Sequence, residues 1–114
     1  MIRRFVLTRV FDSLWKSLGL QDEDLRQLEQ SLLQNPASGP VIRGTGGLRK
    51  LRWRKPGTGK SGGIRVLYVD FPEHEILYLI SIINKTEKEN LSDADKKQIR
   101  STIESIEQSL RPKA

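Results

Sequence analysis

The chain has 114 residues, with 20 Lys and Arg against 14 Asp and Glu for a net charge of +6. That is the size of one domain, and the charge balance points to a polyanionic partner such as nucleic acid or an acidic protein segment. With no cysteine and one histidine, disulfides, a thiol nucleophile, cysteine-held metal and a histidine pair are all excluded. No apolar run is long enough for a signal peptide or a membrane span, so a cytoplasmic protein with no membrane partner is expected.

In chain order, Ile2 to Leu7 reads as a strand, and Thr8 is placed to cap the helix that follows. Phe11, Leu14, Trp15 and Leu18 fall on one helical stripe, which Gly19 is positioned to end. Asp22, Glu23 and Asp24 suit the electropositive first turn of a second helix. Leu25, Leu28 and Leu32 are its buried stripe, and Asn35-Pro36 stops it, because the residue before proline avoids helical backbone. Beyond Pro40 the chain turns extended. Residues 48–54 alternate, with Lys50, Arg52 and Arg54 on one face and Arg49, Leu51 and Trp53 on the other. The strand IRVLYVDF follows a glycine-rich loop. After a tight turn at residues 72–75, ILYLISII is apolar enough for a central strand. Ser92 with Asp95 forms a capping box for a last helix, whose stripe is Ile99, Ile103, Ile106 and Leu110. The expected fold is a single α+β domain over residues 1–114. It is a small, antiparallel-dominated sheet packed on one face by two N-terminal helices and a C-terminal helix, with the other face left to the basic side chains.

The centre of this order is Arg43 to Arg65. It holds eight basic residues, seven of the nine glycines and no acid. Gly57, Gly59 and Gly62 match a dinucleotide fingerprint by spacing, and Thr58-Gly59-Lys60-Ser61 looks like the end of a phosphate-binding loop. Both motifs require a helix next, and a strand follows instead. A hairpin loop is the better reading. His74 lies in a turn and reads as a solvated residue. The carboxylates lack metal-site spacing, so no cofactor or metal is expected.

A single surface lysine or arginine is ordinarily only a solvated charge. Eight of them with no intervening acid point to binding of RNA. RNA also carries its own nucleophile, the 2′-hydroxyl beside each phosphate. Cleavage then needs a group to take the 2′ proton, cations for the phosphorane, and a donor for the 5′ leaving oxygen. Lysine, arginine and tyrosine can supply these.

The motifs GTGGLRKLRW, GKSGGIRVLY and LISIINKTEKENL, from Pro40 to Leu91, together resemble the RelE/HigB superfamily of bacterial toxins, nearest its HigB-type branch. The resemblance implies a RelE-like fold and a metal-independent endoribonuclease that cuts messenger RNA in the ribosomal A site. It also implies silencing by a cognate helix-turn-helix antitoxin, with operator DNA bound only through that antitoxin. Carried over residue by residue, Lys50, Arg52, Arg65 and Lys85 are the catalytic candidates. Arg49, Arg54, Lys60, Tyr68 and Lys88 are the substrate-binding candidates. The chain departs from the RelE pattern at Thr86, where an arginine would stand, and no tyrosine follows before Leu91, so Lys88 or Tyr68 would have to substitute. Two rival readings are a gyrase-poisoning toxin of ParE type and a basic RNA-binding module without activity.

Overall fold

A computed structural model of the chain describes residues 2–54, 63–84 and 91–112. Strand β1 (Arg4–Leu7) leads into helices α1 (Arg9–Ser17) and α2 (Asp22–Gln34). Strands β2 (Arg49–Arg54), β3 (Gly63–Phe71) and β4 (Ile76–Asn84) follow, and then helix α3 (Asp93–Leu110). The four strands form one sheet in the order β1-β4-β3-β2. The last three make an antiparallel meander, and β1 lies parallel beside β4, with Arg4 opposite Ile76. The apolar run of β4 is central, as its composition requires.

The helix ends follow their capping chemistry. The Thr8 hydroxyl accepts the Phe11 N–H at 3.1 Å and donates to the Ile80 carbonyl at 2.6 Å, so one side chain starts α1 and ties it to β4. Gly19 follows α1 at φ 76°, a left-handed conformation in which glycine carries no Cβ penalty. Asp24 accepts the Gln21 N–H at 2.7 Å at the start of α2. Ser92 and Asp95 exchange hydrogen bonds of 3.1 and 3.2 Å at the start of α3.

Alternation along the strands divides the core in two. Ile64, Val66 and Tyr68 of β3, Leu77, Leu79 and Ile82 of β4 and Trp53 of β2 pack with Phe11, Trp15, Leu28 and Leu32 of α1 and α2. Leu67, Val69 and Phe71, the intervening residues of β3, pack with Leu48 and Ile103, joined by Tyr78, Ile80, Ile83, Ile99, Ile106 and Leu110. Successive strand side chains point to opposite faces. The α+β class is therefore as expected, but α3 lies on the face opposite α1 and α2. The physical reason is β4: it is apolar on both faces, so leaving one uncovered would expose Tyr78, Ile80 and Ile83 to water. A register shift opposite Leu67 and Tyr68 lets Leu79 and Ile82, three apart, share a face.

Two further contacts brace the sheet. Arg3 binds Asp70 of β3 through both carboxylate oxygens, Nε–Oδ1 at 2.7 Å and Nη2–Oδ2 at 3.2 Å. The side chains are only 9% and 13% exposed. On the far side, the segment 40–42 runs antiparallel to the outer edge of β2. Lys50 N–H donates to Pro40 O at 3.0 Å, and Ile42 N–H donates to Leu48 O at 2.8 Å. The turn between them is closed by Thr45, fully buried, whose hydroxyl donates to Ile42 O at 2.6 Å and accepts Leu48 N–H at 3.1 Å. The glycines Gly44, Gly46 and Gly47 around it all have positive φ, which explains the GTGG motif as turn chemistry.

Candidate nucleic-acid groove

Strand β2 has one greasy side and one basic side. Trp53 is buried, and Leu51 packs partly against the same cluster, which fixes the strand's rotation. Lys50, Arg52 and Arg54 are thereby turned to the opposite face, toward the side on which α3 packs. Cross-strand pairing then sets Arg52 directly opposite Arg65 of β3, with Lys50 opposite Leu67 one step further on. Two like charges directly opposite each other on adjacent strands oppose folding. Lys50, Arg52 and Arg65 line one open groove of about 450 Å³, together with Ser38, Pro40 and Leu51. No acid is among these lining residues. Such a concentration of positive charge favours an anion over a cation at this surface.

The remaining sequence candidates are distributed differently. Arg54 is exposed and shares the face of Lys50 and Arg52, two residues beyond Arg52. Arg49 is engaged in holding the protein together: its Nη1 donates to Gly39 O at 2.8 Å and to Ala37 O at 3.3 Å. Tyr68 is fully buried. Its hydroxyl accepts the Gly39 N–H at 3.0 Å and donates to Pro36 O at 2.7 Å. The expectation that Tyr68 contacts substrate is corrected on this ground: the ring has no exposed surface and both ends of its hydrogen-bonding capacity are taken. Lys60, Lys85 and Lys88 lie outside the described residues. His74 sits on the short 3₁₀ turn (Pro72–His74), on the loop joining β3 to β4, as expected of a turn residue.

Sequence reasoning did not find Ser38 and Pro40. They belong to the segment after the Asn35-Pro36 helix stop, which turns at residues 36–37 with the Ser38 N–H bonded to Asn35 O at 3.0 Å, and that helix stop was their only signal.

A four-stranded mixed sheet covered by helices on both faces, with a cation-lined groove at the β2–β3 end, defines a small α+β protein. The family model for the RelE toxin of the RelE/RelB toxin–antitoxin system matches residues 3–111, and the chain belongs to that family. It is thus a toxin of a toxin–antitoxin system, a class paired with an antitoxin. A free-state structure of the E. coli toxin RelE carrying two arginine-to-alanine substitutions has a similar fold. The TM-score is 0.53 at 20% identity, over 75% of this chain and 86% of that one. Among the described residues no helix is long and apolar enough to cross a membrane.

Proposed function

We propose that the chain is a ribosome-dependent endoribonuclease that cleaves messenger RNA in the A site and thereby stops translation. The observation that carries this reading is the placement of Arg52 opposite Arg65, with Lys50 beside them, in one groove with no acid among its described lining residues. A cluster of three cations favours an anionic ligand, and the scissile phosphate is the anion an RNA-cutting toxin must grip.

In this reading the 2′-oxygen attacks phosphorus, its proton passes to a basic group of the site, and the bond from phosphorus to the 5′-oxygen breaks. The 5′-oxygen takes up a proton, leaving a 2′,3′-cyclic phosphate and a 5′-hydroxyl. The guanidinium groups of Arg52 and Arg65 stabilise the extra charge on the phosphorane, in the forked geometry that arginine offers to phosphate oxygens. Lys50 and Lys85 are the groups assigned to proton movement. Arg54 extends the cationic track along the RNA, and Lys60 and Lys88 stay substrate-binding candidates from the family resemblance. Because the nucleophile belongs to the substrate, the step requires no metal-bound water. The GTGGLRK and GKSGGIR motifs favour a HigB-type relative within the family.

Primer extension on messenger RNA after induction is the direct test. Discrete new 5′ ends within translated regions are expected, and they persist when divalent ions are chelated to the extent that ribosomes stay intact. Uncut messenger RNA accompanied by DNA damage would replace this reading with gyrase poisoning. The antitoxin is expected to be a helix-turn-helix protein that obstructs ribosome entry. Its affinity is then unchanged by Lys50→Ala, Arg52→Ala or Arg65→Ala, and a tenfold loss in each variant would instead indicate direct filling of the groove.

A further inference from the structure

We infer that Ser38 and Pro40 form a nucleobase subsite, and that base preference at the cut is set there and not by the basic strands. This inference rests on the RNA-cleavage reading and adds to it the part of the substrate that the segment 36–42 receives.

The lining of the groove is of two chemical kinds: the cations Lys50, Arg52 and Arg65 on one hand, and the uncharged Ser38 and Pro40 on the other. A nucleotide entering it has two chemically distinct parts, an anionic phosphate and a flat base. Cations hold phosphate, but phosphate contacts carry no sequence information. Discrimination requires donors and acceptors opposite a base edge, together with an apolar surface for its face. The Ser38 hydroxyl both donates and accepts, and it is exposed on the uncharged wall. Pro40 supplies the apolar surface. The phosphate therefore belongs on the cationic wall and the neighbouring base on the other.

A wall that reads a base must be rigid, and this one is clamped from three sides. The buried Tyr68 hydroxyl takes the Gly39 N–H and gives its own proton to Pro36 O. Arg49 holds the Ala37 and Gly39 carbonyls. Gly39 itself is buried so close to β2 that a Cβ would lie 3.0 Å from Tyr68 Cε1, 3.1 Å from Leu51 N and 3.1 Å from Lys50 C. Ser38 and Pro40 flank that glycine and are held in register with Lys50, whose N–H bonds to Pro40 O. Tyr68, Arg49 and Gly39 are positioning residues in this scheme. The 3.0 Å bond from Lys50 N–H to Pro40 O is what couples base identity to the placement of the phosphate.

The test is a map of 5′ ends from messenger RNA cut by the wild type, Ser38→Ala, Ser38→Thr and Gly39→Ala, taken at equal protein levels. Wild-type cuts are expected to favour particular bases beside the scissile phosphate. Ser38→Ala should reduce that preference by roughly tenfold, the size of one lost base-edge contact, while Ser38→Thr, which keeps the hydroxyl, should restore it. Gly39→Ala, which pushes the wall outward, should blur the same position. A wild-type profile in Ser38→Ala overturns the inference even if RNA cleavage is confirmed. Absence of cleavage by the wild type is a different result, which removes the underlying reading and this subsite with it.

Discussion

Trp15 of α1 and Trp53 of β2 pack with ring centroids 5.5 Å apart and planes tilted by 39°. Trp53 stands between Arg52 and Arg54, so this contact holds the strand that carries the cations. Trp15 is also stacked on Phe11, and its Nε1 donates to Gln21 O at 3.2 Å. Truncating it removes a large buried aromatic side chain and a hydrogen bond together. Trp15→Ala should cost about 3–5 kcal/mol of stability, read as a lower urea midpoint. RNA cleavage should fall in parallel as β2 loses its anchor.

Arg52 and Arg65 predict the opposite sign for stability. Removing one of two like charges that face each other across a strand pair relieves repulsion. Arg52→Ala should therefore leave the unfolding free energy unchanged or raise it, by an amount on the order of 0.2–1 kcal/mol, and nearly abolish messenger RNA cleavage. A variant that loses both stability and activity would show that Arg52 supports the fold.

Arg3 and Asp70 give a third expectation. Their forked ion pair is almost completely shielded, and breaking such a pair leaves a charge without its partner. The Arg3 guanidinium is held above its usual range, chiefly by the hydrogen bond to Asp70 and against the cost of burial. Asp70→Asn should destabilise by about 3 kcal/mol in chemical unfolding. The loss should change little between low and high salt, because shielded pairs are poorly screened.

Glu29 of α2 supplies a pH dependence. Burial raises its pKa above 4.5, with Arg26 opposing in part. The folded chain therefore keeps this proton to higher pH than the unfolded chain. The group costs no stability while both states are protonated, and it lowers stability as pH rises from the unfolded value through the folded one. Glu29→Gln should raise the melting temperature at neutral pH and have no effect in acid well below 4.5. Equal shifts at both pH values would exclude ionisation as the cause.

Much of this molecule could be read from local rules. Thr8, Gly19, Asn35-Pro36 and the Ser92–Asp95 box act within a few residues, and they mark the helix ends where the structure has them. Alternation in β2 separated Lys50 and Arg52 from Leu51 and Trp53 because a half-buried strand leaves a period of two. The side taken by α3 was not legible. Its apolar stripe fits either face of the sheet, and only the demand of Tyr78, Ile80 and Ile83 for cover decides between them. Tyr68 was misleading for a related reason: nothing in IRVLYVDF reveals that its hydroxyl meets the backbone of residues 36 and 39, about thirty positions earlier. Ser38 and Pro40 reach the groove by that same long-range contact, which no spacing rule encodes.

The parallel pairing of β1 with β4 sets a timetable for the newborn chain. The Thr8 hydroxyl bonds a carbonyl 72 residues later, and Arg3 reaches a carboxylate 67 residues later. At synthesis rates of roughly 5–20 residues per second, the first strand emerges several seconds before its partner exists. During that interval Phe5 and Leu7 have no sheet to join, whereas α1 and α2 can already form from their own caps and stripes. Closure of such distant contacts is slow, so β1 is expected to dock after the meander has formed. Chains terminated before β4 are left with an unpaired, apolar N-terminal strand, the kind of segment that proteases and chaperones recognise.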